Sequence, residues 1–226
     1  MLHLMKLELK KTHFQNYLLI FVITVIMSMF FMAVSVHDSS GKTHTFAETF
    51  RVIEMVSAFV FIILFSVLNA SVIISEYNSK TIWIMFAYPI NRQKLILAKL
   101  LLITVLVAVM IIAEYAVCGS FLVYADKMYN WVEGDFQIST FRYMISRAFT
   151  TAIMFCILGL WTFVAGMWKK SVPVTIVSSV LFIYIRQIAV ASTETYEETV
   201  WMILAAGILA LAGIWYIFKK KIMEAE

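Results

Sequence analysis

Charge is scarce in this sequence: Asp, Glu, Lys and Arg make up 14% of its 226 residues, against 62% hydrophobic residues. With a mean hydropathy of +0.89, too little polar surface remains to cover a water-soluble globule, so lipid is the solvent for most of the chain. Once membrane spans are subtracted, only short loops and tails are left, which excludes a soluble catalytic domain. Cysteine is nearly absent as well. Cys118 and Cys156 fall within apolar runs and form no CxxC, so neither a disulfide framework nor a metal signature is present, and both read as packing residues.

Catalytic and nucleotide motifs are missing too. Ser40-Gly41-Lys42-Thr43 resembles the end of a phosphate-binding loop, but the earlier glycine that the loop needs would stand at Val36, and no strand precedes it. No HExxH, no GxSxG and no carboxylate pair at membrane depth exists, so an intramembrane hydrolase has no machinery. His44 and Glu48 share i, i+4 spacing near His37 and Asp38, yet without a recognised ligand pattern they read as a solvated loop, not a metal site. The chain is expected to be a non-enzyme that binds no metal or nucleotide. The net charge of +4 does not imply nucleic acid, because basic residues mark the cytoplasmic flanks of membrane proteins.

Long apolar runs are what the sequence does have. Backbone groups in hydrocarbon must bond within their own segment, so each run of about 20 residues predicts a helix. Four runs carry no charge: His13 to His37, Met55 to Ser75, Ala148 to Trp168 and Thr199 to Phe218. Two more hold one charge each, Leu100 to Tyr124 with Glu114 and Ser171 to Ser192 with Arg186. The predicted fold is an all-α integral membrane protein, a single transmembrane domain over residues 1–226, with six spans near 16–36, 53–75, 95–124, 143–167, 171–191 and 199–219. A barrel would alternate in polarity, which Leu100-Leu101-Leu102-Ile103 does not. The first run is too long for the apolar core of a signal peptide and is expected to be a span.

Orientation follows from the basic residues. Lys6, Lys10 and Lys11, then Lys80, Arg92, Lys94 and Lys99, then Lys169 and Lys170, then Lys219, Lys220 and Lys221 fall on one side. The other side holds Lys42, Arg51, Lys127, Arg142 and Arg147 diluted by nine acids, among them Asp38, Glu48, Glu133 and Glu194. Retention of positive charge in the cytoplasm places both termini inside a bacterial cytoplasmic membrane.

The segment between spans two and three is the most informative. Ser75 and Glu76 leave the membrane, and Thr81 to Tyr88 form a short apolar-aromatic helix that Pro89 ends. Asn91 is placed to cap the third span. Ile82, Met85, Phe86 and Pro89 share one face on the cytoplasmic side. That face suits either a water-soluble partner or the lipid headgroups. At the amino terminus, Met1, Met5 and Leu9 form an i, i+4, i+8 stripe with His3, Lys6 and Lys10 on another face, which predicts a helix lying along the interface.

The order Glu76, Thr81, Pro89, Arg92 and Lys99, together with six spans and an amino-terminal interfacial helix, resembles the ABC-2 type permeases of ATP-driven exporters. Lys80 departs from the glycine that many members carry before the threonine. The resemblance implies that the segment after span two is a coupling helix seated in a cleft of a separate ATPase subunit. Glu76, Thr81, Ile82, Met85, Phe86, Pro89 and Arg92 would make that contact. It gives the amino-terminal helix, with Met5, Lys6 and Leu9, a second role beside the ATPase. It also implies that ATP and Mg bind a partner dimer of nucleotide-binding domains and not this chain. Six spans make half of a two-permease pore, so a second copy or a paralogue is expected. Small permeases of this kind resemble those that export antimicrobial or cytolytic peptides, or confer immunity to them, in Gram-positive bacteria. The alternative from another class is a stand-alone channel or scaffold whose short helix rests on lipid.

Two charges lie at depth. Counting about 1.5 Å per residue puts Glu114 and Arg186 roughly 22 and 24 Å from the inner boundary of a core about 30 Å thick. A charge there costs about 2.5 to 3.5 kcal/mol, so such residues pair, line a polar cavity or snorkel. Glu114 and Arg186 are therefore outer-gate or pathway candidates, either as an ion pair or polar ring, or with Arg186 snorkelling and Glu114 bonded to a Ser or Tyr hydroxyl. The aromatic content of 15% and 14 methionines suit an adaptable apolar lining for hydrophobic or amphipathic cargo.

Overall fold

Apolar runs that cannot bond their backbone to lipid must close their hydrogen bonds locally, and these runs do so as helices. A computed structural model of the chain describes residues 14–38, 46–75, 92–129, 138–192, 196–217 and 219. Among the described residues there are six long helices and no strand: α1 (Phe14–Asp38), α2 (Phe46–Asn69, prolonged by a π-helical turn at Ala70–Ile74), α3 (Arg92–Tyr129), α4 (Ile138–Lys169), α5 (Val172–Ser192) and α6 (Tyr196–Ile217). Five are long and apolar enough to cross a membrane, over Tyr17–Ser35, Glu48–Ile74, Lys94–Tyr129, Ile138–Lys169 and Val172–Ala189.

The expected sixth span, 199–219, falls on helix α6, whose apolar stretch among the described residues, Trp201–Ile217, is shorter than the other five. Helices α2, α3 and α4 in contrast run past the predicted spans. Helix α2 begins at Phe46, with Glu48 in its first turn, where a carboxylate complements the positive end of the helix. The amino-terminal helix with Met5, Lys6 and Leu9, and the coupling segment with Glu76, Thr81, Ile82, Met85, Phe86 and Pro89, lie outside the described residues.

The turn from α4 to α5 is built on a left-handed residue. Lys170 has φ of 50°, and Ser171 N–H donates to Gly166 O at 3.3 Å, the long-reach bond that closes a helix in the Schellman manner. Ser171 then begins α5 by accepting from Thr175 N–H at 3.2 Å.

The helices pack as two compact units. The first draws its described residues from Ile62–Leu106 and Met154–Glu226, around buried Phe65, Ile103, Phe155 and Phe163. Its helices approach closely at glycines. A Cβ on Gly159 would overlap the Phe65 ring, and one on Gly166 would overlap Thr175 Oγ1 and Ile74. Small residues at such crossings let backbones come together where no hydrophobic force distinguishes protein from lipid. Trp161 Nε1–H donates to Ala206 O at 3.1 Å, which ties α4 to α6. The second unit takes His13–Phe61 and Val107–Ile153, around Phe50, Phe61, Ile111 and Tyr115. Tyr115 and Thr151 share a hydroxyl bond of 3.2 Å.

Candidate functional site

Near its end helix α2 carries Ser66 and Asn69, and Asn69 is fully buried. Its Nδ2 donates to Gly159 O at 3.2 Å and to Thr162 Oγ1 at 3.3 Å, both on α4. Thr162 hydroxyl also donates to Gly159 O at 2.7 Å, so Asn69 joins a small polar knot at the α2–α4 crossing. Immediately beyond it the backbone widens into the π turn, and Ser75 N–H reaches back five residues to Ala70 O. A π turn breaks the ordinary i→i−4 ladder and frees carbonyls for other donors. Lys99, only 3% exposed, donates from Nζ to Val72 O at 3.3 Å. A buried ammonium at the carbonyl end of a helix is favoured there by the helix dipole.

This bond has a topological consequence. Val72 stands four residues before Glu76, and Lys99 stands eight after Asn91. The helices on either side of the segment 76–91 are thus fastened together at its base, within one unit. Arg92 is the first residue of α3, directly after the Asn91 expected to cap that helix. Lys99 entered the sequence reading as a flanking charge and the last residue of the family-like pattern. Its bond to Val72, the π turn and Asn69 were not anticipated. The one available signal was Asn69 itself, an amide inside a charge-free run.

The two deep charges have different surroundings. Glu114, on α3 in the second unit, is fully buried. Its Oε1 lies 2.6 Å from Ser28 Oγ on α1, and its Oε2 lies 2.6 Å from Ser57 Oγ on α2. Ser57 Oγ is also 2.7 Å from Ile53 O. Elsewhere in this unit Arg147 pairs with Glu54 at 3.8 Å and donates from Nε to Tyr143 hydroxyl at 3.0 Å. Arg186, on α5 in the first unit, is buried, with its guanidinium carbon 5.5 Å from the centre of the Phe155 ring. Its Nη1 donates to Gln187 Oε1 at 3.3 Å. Cation–π contact of this kind offsets part of the cost of burying a guanidinium.

Comparison with known proteins gives these features a family. The description "ABC-2 family transporter protein" matches residues 4–186, from the amino-terminal segment through most of α5. The chain belongs to the ABC-2 transporter family. A relative in Bacillus subtilis (strain 168), the uncharacterized protein YcbO, is 27% identical over 186 residues, covering 80% of this chain and 82% of its own. No solved structure matches. Membership makes the chain a multi-pass membrane permease of the ABC transporter type, a class of transport subunits that normally work with an ABC ATPase and do no catalysis themselves.

Proposed function

We propose that this chain is the permease subunit of an ATP-driven exporter. In this reading it is a single transmembrane domain that crosses a bacterial cytoplasmic membrane six times, with both termini inside. The ATPase is a separate chain that binds ATP and Mg, and two permeases, identical or paralogous, complete the pore. Its cargo is a hydrophobic or amphipathic peptide of the antimicrobial or cytolytic class, exported or removed as an immunity function.

The family match over residues 4–186 carries this reading, because it includes the segment 76–91 as well as the spans. A chain that moves cargo without its own phosphate-binding loop must receive the work of ATP hydrolysis through a surface. Segment 76–91 is the candidate surface, with Ile82, Met85 and Phe86 inserting into the ATPase while Glu76 and Arg92 fix its start and end, and Thr81 and Pro89 shape the helix between. The Lys99–Val72 bond at 3.3 Å supports it, since force applied to the segment would reach α2 and α3 through a fastened base. Met5, Lys6 and Leu9 lie beside it in this scheme, and Glu114 and Arg186 lie along the pathway.

The test is recovery of the ATPase with the permease from gently solubilised membranes, comparing wild type with a Met85→Asp, Phe86→Asp variant at equal expression. Unpaired charge buried at the contact should cost several kcal/mol, so the ATPase should be lost while membrane insertion survives. Undiminished recovery with full transport would leave the helix resting on lipid and remove the coupling role.

A further inference from the structure

The oxygen atoms around Glu114 require more protons than an ionised carboxylate and two serines supply. Three contacts run in sequence: Ser28 Oγ to Oε1 at 2.6 Å, Oε2 to Ser57 Oγ at 2.6 Å, and Ser57 Oγ to Ile53 O at 2.7 Å. All three lie within hydrogen-bond range and none is slack. Each needs a proton. Ile53 O is a carbonyl and only accepts, an ionised carboxylate only accepts, and each serine brings one hydroxyl hydrogen. Two protons can fill three contacts only if one of them is shared between two acceptors. A single Ser57 hydrogen shared between Ile53 O and Oε2 would bend both bonds and weaken each, as in the three-centre contacts of Thr150 at 2.8 and 3.1 Å, which are longer than these.

We infer that Glu114 is a proton-binding site, holding its proton on Oε2 in this conformation. The relay then closes with every atom satisfied. Ser28 hydroxyl donates to Oε1, Glu114 Oε2–H donates to Ser57 Oγ, and Ser57 hydroxyl donates to Ile53 O. The surroundings agree with a neutral acid. The described side chains of α1, residues 17–35, include no charged group. On α2 the neighbouring ionisable group is Glu54, three residues before Ser57 and paired with Arg147 of α4. On α3 there are Tyr115, bonded to Thr151 of α4, and buried Cys118. Tyr143 of α4 is engaged by Arg147. Among the described residues no Lys, Arg or His pairs with Glu114. A carboxylate fully out of water without a cation is far more costly than the corresponding acid.

The arrangement also gives the proton a structural role. Ser28, Ser57 and Glu114 stand on α1, α2 and α3, so one acid bonds three helices. Loss of the proton would leave the Ser57 hydroxyl facing two acceptors, Ile53 O and a charged Oε2, with hydrogen for one of them. The bond network within this unit therefore depends on proton occupancy.

Infrared difference spectroscopy on the full-length protein in lipid nanodiscs at neutral pH tests it. Subtracting the Glu114→Gln spectrum from wild type should leave a carboxylic-acid C=O band, clear of the amide region, that shifts downward in deuterium oxide. Ser57→Ala removes the acceptor of the acid hydrogen and should move that band to higher frequency, a readout that stands even where the Gln variant fails to fold. A difference spectrum with carboxylate bands and no acid band would overturn the assignment. So would a carboxylate band that moves when sodium replaces potassium, which would make this oxygen cluster a cation site.

Discussion

Gly159 is where the packing of the first unit is most exposed to a single methyl group. An added Cβ would overlap three carbons of the Phe65 ring, and that ring is fully buried. Overpacking of a filled core costs about 1–3 kcal/mol, and overlap with a rigid ring belongs at the upper end. Gly159→Ala should therefore destabilise by roughly 3 kcal/mol, with the nearby Asn69–Gly159 bond strained by the same displacement. Phe65→Ala should cost about 3 kcal/mol, below the upper range for such truncations, because lipid tails are as apolar as the core and the transfer part shrinks. In the double variant the methyl group added at position 159 enters space the ring has vacated. The two losses should then fall short of additivity by about 0.5–3 kcal/mol, the range seen for residues in contact. Reversible unfolding in mixed micelles, titrated with a denaturing detergent, measures all four corners of the cycle. Additive losses within about 0.5 kcal/mol, or a Gly159→Ala protein as stable as wild type, would refute the α2–α4 contact.

Other expectations are simpler to state. Lys99→Glu places an anion against Val72 O and the carbonyl end of α2 and should cost several kcal/mol, seen as loss of folded protein on detergent extraction. Lys99→Arg keeps a donor and a charge and should recover most of it, so equal behaviour of the two variants would deny the bond a role. Cysteine introduced at Gly41 or Gly134 should react with an impermeant thiol reagent on intact cells, and cysteine at Asn78 only after permeabilisation. Cys118 and Cys156 are buried and should give little background; the reverse labelling pattern would overturn both the orientation and the coupling role of segment 76–91.

The fold was legible because membrane physics writes it in large letters. Each uncharged run became a helix for lack of any other way to satisfy its backbone, and the predicted span 171–191 differs from α5 (Val172–Ser192) by a residue at each end. Helix ends were less legible where amphipathic turns extend beyond the apolar run, as in α2, which begins at Phe46 and not near 53. Polar residues such as Thr49, Arg51 and Glu54 do not stop a helix. The π turn was not legible at all. Ala70-Ser71-Val72-Ile73-Ile74 has no proline or glycine to announce a break, and what accompanies the wide turn is Lys99, 27 residues away.

The candidate sites divide on the same principle. Glu114 and Arg186 stood out in the sequence because charge in an apolar run is rare and expensive. A Ser or Tyr hydroxyl was one of the partners expected for Glu114, but which serines they are was not legible, because serine and threonine hydroxyls in a helix have a ready acceptor on the preceding turn. Thr24 donates to Ile20 O, Thr104 to Leu100 O and Thr150 to Ser146 O, each at 2.8 Å, and these bonds leave no trace of a tertiary role. Ser57 makes the same local bond to Ile53 O, yet its oxygen also meets Glu114, and only the approach of α3 to α2 creates that second contact. A hydroxyl becomes part of a site when a group from another helix needs its lone pair or its hydrogen. Asn69 follows this rule from the other direction. Its amide has no acceptor on its own turn among the bonds it makes, so it reaches to Gly159 and Thr162, and an amide in an otherwise charge-free run is therefore a stronger pointer to helix contact than any of the hydroxyls around it.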